Sequence, residues 1–566
     1  MTGIDRLAQL YPWSVDPDEE LRRAVVYLGW DVSATRLVRA SYGCGIVGIG
    51  LTVGSAVLAP SGVRTLVTLV SATLALLAVG TLTALPRLLA TAKRTRALGD
   101  APGLVGRAVL SMRLFPSPER AASFAARSTE TALSENLEQF VRRSRATNED
   151  ALRSFGSTWQ TWFPALERSL AMVASAGTLS DDDRQDALDR ALSVVLDGTR
   201  KQLRDFAEQI RGPVTALYAF GILLPTALVA LLPAGAAAGI GVTLPAIVLV
   251  YDIALPAVLI GASAWLLAHR PAAFPPPPIR RSHPDVPDRI QTAAVAGCLA
   301  AVTGWFVAGL VCPPWARPIA ALGLGVGTGL QVQFRPYLAV QKRVRAIEDG
   351  LTDALTLVGR RVSNGRSVES AVANAASALA EPTGTVFEQA AATQRQLQTD
   401  IERAFHNGSG NLSAVPSARV RESVAFLGVA TAYGQPAGTA ILALADHIDE
   451  LQQVEDEASH ALAAVCGALR STGALFGPMV AGATVALADG VAGAGTEPLP
   501  GDATALPWLG LAVGWYVLVL AVVLPTLATG LVRGLDRALV GVRVGQALLS
   551  GTVVYLTAYL LVGGIA

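Results

Sequence analysis

Nine stretches of this chain, 41–59, 65–90, 213–234, 242–268, 290–311, 318–334, 471–489, 506–532 and 544–565, are apolar over nearly the length needed to cross a bilayer. A helix spans the hydrocarbon core in about 20 residues, because it satisfies its backbone amides within its own segment where no water can. The sixth stretch is the shortest. Composition points the same way: 52% of the 566 residues are hydrophobic and only 16% charged, with a mean hydropathy of +0.44. That is more apolar material than a soluble core of this length needs. The expected fold class is all-α, a polytopic membrane protein with about nine transmembrane helices and the lipid bilayer as its solvent.

Arginine and lysine set the orientation, since loops that stay in the cytoplasm keep the excess of both. Arg36 and Arg39 precede the first stretch, and Arg87, Lys93, Arg94 and Arg96 follow the second. Arg270, Arg280, Arg281 and Arg289 lie between the fourth and fifth. Arg335, Lys342, Arg343 and Arg345 follow the sixth, and Arg533, Arg537 and Arg543 separate the last two. The opposite loops hold little beyond Arg64 and Arg317, and 490–505 carries Glu497 and Asp502 instead. The N-terminus is therefore expected inside the cell membrane and the C-terminus outside. The first apolar stretch follows a polar lead of mixed charge, unlike a cleavable signal peptide; Pro12, Trp13 and Pro17, then Asp18 to Arg23, read as an exposed turn and a short amphipathic helix.

This topology divides the chain into a cytoplasmic N-terminal segment (1–40), transmembrane helices 1–2 (41–90), a first cytoplasmic helical domain (91–212) and helices 3–4 (213–268). A Pro-rich cytoplasmic linker (269–289), helices 5–6 (290–334), a second cytoplasmic helical domain (335–470) and helices 7–9 (471–566) complete it. In the second domain Leu351, Ala354, Leu355, Val358 and Val362 recur at helical spacing, with Arg360 and Arg361 on the wet side. Asn364-Gly365 suits a left-handed helix end, and Ser367 with Glu369 suits the next helix start. In the first domain Ser180 before Asp181, Asp182 and Asp183 places carboxylates at a helix start, where the macrodipole favours them.

Offsetting the chain against itself by about 250 residues brings out a parallel repeat of two spans, helical insert and two spans, with the ninth span added. Ser117, Glu119 and Ala121 fall opposite Ser367, Glu369 and Ala371, and Pro225 falls opposite Pro478. Phe115 stands where the second copy has Gly365.

The stretch from Leu357 to Ala371, with Gly365, Ser367 and Glu369, resembles a motif of the type II secretion system F family. These are the membrane platform proteins of type II secretion, type IV pili, Tad pili and archaella. Ala425 to Asp449, with Gly434, Ala437, Leu442, Leu444 and Ala445, is similar to that family's second helical hairpin. A long helix from Asp446 through Glu450, Glu455 and Glu457 into the span containing Pro478 is the third likeness. The resemblance is clearest over the second half, and two four-span units plus an extra span resemble the archaeal versions more than the bacterial ones. It implies a non-enzymatic anchor beneath a growing filament, whose cytoplasmic domains engage a hexameric secretion ATPase and whose membrane part engages pilin-like subunits. It leaves a homodimer open.

No catalytic, cofactor-binding or metal residue is assigned from sequence. None of the three lysines, Lys93, Lys201 and Lys342, sits in a phosphate-cradling glycine loop, so any ATP hydrolysis is expected from a partner. Gly408, Ser409 and Gly410 lack the strand–turn–helix setting of a nucleophile elbow. Cys44, Cys298, Cys312 and Cys466 are scattered, and a formal charge of +1 with alternating signs argues against nucleic acid. His447 with Asp446 and Asp449 reads either as a metal site or as a solvated helix face. Asp252, inside the fourth span, reads as a proton-relay or pilin-contact site, or as a polar contact between helices or a lining of wet space. The cluster of Lys342, Arg343 and Arg345 would meet the ATPase or anionic lipid, or reports topology alone. A secondary transporter or channel with parallel repeats is the alternative function, and a membrane-bound sensor ranks third.

Overall fold

The computed structural model describes residues 3–60, 64–129, 131–147, 149–225, 227–229, 231, 244–271, 279, 283–287, 289–406, 415–431, 435–494 and 506–564. Gly408 to Gly410, Gly434, Arg280, Arg281, Pro275 to Pro278, Glu497 and Asp502 lie outside them. Among the described residues every regular element is a helix.

The first half runs α1 (Gly3–Gln9), α2 (Glu19–Leu28), α3 (Ala34–Leu58), α4 (Arg64–Leu98), α5 (Ala101–Leu114), α6 (Pro118–Arg127), α7 (Ala132–Thr147), α8 (Ala151–Trp159), α9 (Pro164–Ala176), α10 (Asp181–Gln209), α11 (Arg211–Tyr218), α12 (Leu244–Ile247) and α13 (Leu255–His269). The second runs α14 (Ile290–Val311), α15 (Ala316–Asp349), α16 (Leu351–Ser363), α17 (Val368–Ala376), α18 (Thr383–Leu397), α19 (Ile401–His406), α20 (Ala418–Ala430), α21 (Gln435–Ser471), α22 (Gly477–Ala494), α23 (Leu506–Arg533) and α24 (Arg537–Gly563).

Several local features recur at an offset of about 250 residues. Ser117 caps α6 by accepting from the Arg120 amide at 3.3 Å, and Ser367 caps α17 by accepting from the Ser370 amide at 3.3 Å. Pro86 lies inside α4 and Pro336 inside α15. A π-helical turn, Ala219–Leu223, precedes Pro225, and a second, Thr472–Phe476, stands at the same spacing before Pro478. The copies differ at the break after their first insert helix. Gly365 takes φ +81°, and the amides of Gly365 and Arg366 return to the Val362 and Arg361 carbonyls in a left-handed close. Phe115 makes the corresponding break with extended backbone at φ −135°, which a bulky side chain adopts without strain.

Among the described residues, eight helices are long and apolar enough to cross a membrane. The segment 318–334 is not among them, although it is helical within α15. Its small and polar residues face other helices: an added Cβ on Gly323 would meet Thr552, on Gly325 would meet Ala301, and on Gly327 would meet Leu549 and the Gly545 carbonyl. Gln331 donates to the Val542 carbonyl at 2.7 Å. Small residues let helix backbones approach closely in lipid, and they lower the hydropathy of the segment that carries them.

The apolar core of this region is built around α23, 67% of whose most apolar window is buried, with α13, α22 and α24 around it. The α3–α4 hairpin lies at the edge, and none of the corresponding window of α4 is buried. Its exposed Leu58 and Leu76 present the kind of surface that lipid covers. Helix α1 lies against α3, where Gly43 leaves room for the Leu7 carbonyl.

Helices with internal proline need a replacement donor, because proline has no amide to give the carbonyl four residues earlier. For Pro225 that carbonyl belongs to Gly221, and the Tyr516 hydroxyl of α23 donates to it. The Tyr251 hydroxyl donates to the Pro225 carbonyl itself at 2.7 Å. Tyr516→Phe should remove the hydroxyl donor from the Gly221 carbonyl and cost about 1 kcal/mol. Thermal unfolding of the detergent-solubilised protein would register this as an earlier melt, and an unchanged melting temperature would contradict it.

Candidate functional site: the clamp between the two helical inserts

The inserts meet through α5 of the first and α21 of the second. Leu110 of α5 joins the apolar core of the second insert, while Leu451 and Val454 of α21 join the core of the first. The two bodies therefore interlock. Arg200 and Arg204 of α10 add ion pairs to Glu457 of α21, at 3.8 and 3.4 Å, on the exposed rim.

At the centre lies Arg107, whose side chain is 7% exposed. Its position on α5 puts it between the helix's own N-terminal Asp100 and the facing α20. One guanidinium nitrogen donates to Asp100 Oδ2 at 3.1 Å and to Ser134 Oγ at 3.2 Å. The other lies 3.4 Å from both oxygens of Glu422. Asp100 is held in turn by the Thr131 hydroxyl at 2.6 Å. Burial opposes the Arg107 charge, and Asp100 and Glu422 more than offset it, so the guanidinium is firmer than an ordinary arginine. Burial holds the Glu422 carboxyl above its usual range even beside Arg107.

His447 of α21 fills the space over Gly106, where an added Cβ would come within 2.0 Å of its Nε2. Neither reading drawn from the sequence describes it. Its ring is buried, Asp446 and Asp449 are exposed on the helix's other side, and among the described residues no group of three His, Cys, Asp or Glu side chains converges on a metal. The face of α21 that looked solvated is covered because the other insert packs there. Burial first, then the charges of Arg107 and Arg419, lower the His447 pKa to about 4, so the ring is neutral near neutral pH.

The second insert is tied to the ends of its own connecting helices. Gln452 of α21 donates to the Glu348 carbonyl at 3.0 Å, Ser417 donates to the Glu348 carboxylate at 2.5 Å, and Arg419 pairs with Glu455 at 2.9 Å. Glu348 lies one residue before the end of α15, the helix that enters the insert, and α21 is the one that leaves it.

Asp252 lies in a π-helical turn, Val248–Ala254, and its Oδ1 is buried without a hydrogen-bond partner among the described residues. Arg343 pairs with Asp285 of the linker at 3.7 Å. Cys466 is buried and the other three cysteines are at least partly exposed, none paired. Arg107 and Glu422 were not singled out from sequence; the one available signal was a lone charge inside the apolar run Gly103 to Met112.

Compared with known protein families, with curated proteins and with solved structures, the chain matches none.

Proposed function

We propose that this chain is the integral-membrane platform of a filament-assembly machine of the type IV pilus and type II secretion kind. In this reading nine helices cross the cell membrane, α15 included, with the N-terminus and both inserts in the cytoplasm and the C-terminus outside. A hexameric secretion ATPase engages the inserts, pilin-like subunits engage the membrane part, and the chain itself turns over no substrate.

One observation carries the reading. The two inserts are locked to each other at Arg107, and the second passes into the membrane region along α21, the π-helical turn and α22 without an intervening loop. A torque or push applied to one insert then reaches the other and the spans beneath, whereas a flexible loop would dissipate it.

The protein in lipid nanodiscs should raise the ATP turnover of a secretion ATPase encoded beside it. A chain that carries solute across liposomes and leaves that ATPase unaffected would overturn the proposal. The buried Asp252 oxygen, without a partner among the described residues and within an apolar helix, favours a second reading, a secondary transporter or channel with parallel repeats. Solute flux that depends on Asp252 would establish it.

A further inference from the structure

Where α15 and α24 leave their apolar segments, they enclose a groove of about 470 Å³ lined by Gln331, Arg335, Leu338, Lys342, Val542 and Gln546. Gln331, Arg335, Leu338 and Lys342 recur along one face of α15, and Arg335 and Lys342 stand two turns apart, about 10 Å along the axis. No carboxylate lines the groove. Both cations are exposed, and neither makes an ion pair among the described residues. Their neighbour Arg343 does, with Asp285.

The charge around the groove is mostly positive. Arg543 lies beside it and donates to Gln546 Oε1 at 3.3 Å, leaving the Gln546 amide nitrogen to donate elsewhere. Arg470 acts on Arg543 as a like charge, and Arg345, Arg470 and Arg543 all do so on Arg533, opposed there by Glu455 alone. A general excess of cytoplasmic arginine explains basic loops; here two exposed cations without an ion pair among the described residues line one groove, and none of the residues lining it is a carboxylate.

We infer that this groove holds the phosphate headgroup of an anionic phospholipid from the leaflet facing the inserts, with Arg335 and Lys342 as its cations. The long side chains of both residues can reach a phosphate lying between them, and the Gln546 amide adds a neutral donor. Leu338, between the two cations along α15, and Val542 of α24 supply apolar walls. Basic pockets between helices at a cytoplasmic membrane face suit such headgroups. The inference needs α15 and α24 to stand in the membrane but does not need the platform role.

Native mass spectrometry of the full chain, released from nanodiscs of phosphatidylcholine containing phosphatidylglycerol, tests it. The parent should retain phosphatidylglycerol in preference to phosphatidylcholine. Arg335→Gln and Lys342→Gln should each lower that retention about fivefold, since one surface cation contributes ~1 kcal/mol toward an anionic lipid. Both residues are exposed, so the variants should melt with the parent when no anionic lipid is added. Arg343→Gln should retain lipid as the parent does. Equal retention of the two lipids, or an equal loss in Arg343→Gln, would overturn the inference. So would displacement of the lipid by inorganic phosphate, which would make the groove a site for the free anion.

Discussion

Arg107→Ala should cost the paired inserts about 3 kcal/mol, the low end of what is lost when one partner is removed from a buried ion pair. The loss comes less from missing attraction than from what is left behind. Asp100 and Glu422, 24% and 27% exposed, would remain as two carboxylates sharing a cleft with no cation between them. Partial access to water keeps the cost from the upper end of the range. Asp100 keeps its bond from Thr131, so Glu422 bears most of the damage. It follows that Arg107→Met combined with Glu422→Leu should recover much of the loss, because removing both charges also removes the cost of burying them. Thermal unfolding of the solubilised parent, single and double variants checks both statements. An Arg107→Ala protein as stable as the parent would show that the inserts are held by apolar contacts alone.

What could be read from sequence, and what could not, follows from which patterns are local. A span announces itself by composition, a cap by one side chain and its neighbours, and the Gly365 turn by the need for positive φ. Hence the helix starts at Ser117, Ser180 and Ser367 stand where the residues place them. The segment 318–334 was legible as a helix and was expected to be a span, but it is not among the helices long and apolar enough to cross a membrane. The glycines that lower its hydropathy answer to α14 and α24, whose contacts are not local in sequence. The clamp was the least legible part. Repeat symmetry gives no hint of it, since Leu357 stands in the second copy where Arg107 stands in the first. The apolar stripe of α21 through Ala437, Ile441, Leu444 and Ala445 announces one buried face. Burial of His447 needs a second partner on another side of the same helix, and only the meeting of the two inserts supplies it.

That meeting makes the stability of the paired inserts depend on pH through His447. The folded-state pKa of about 4 lies below the ordinary 6.5, so above about pH 6.5 the ring is neutral in both states and the clamp has its full strength. As the pH falls, the unfolded chain takes up a proton that the folded one refuses. Stability is then lost progressively down to about pH 4, by roughly 3 kcal/mol, since each tenfold difference in proton affinity is worth about 1.4 kcal/mol. The groups around His447 set the balance. The charges of Arg107 on α5 and Arg419 on α20 repel the protonated ring. Glu422 works the other way: its raised pKa makes the folded state take up a proton more readily than the unfolded, so its contribution grows as pH falls and is lost as pH rises through the folded value. His447→Gln removes the contribution of the histidine and leaves that of Glu422. Unfolding free energies of parent and variant should therefore diverge between about pH 6.5 and pH 4, the parent falling more steeply. Parallel curves would mean that the ring is solvated in the working protein, and that the two inserts stand further apart than the contact over Gly106 requires.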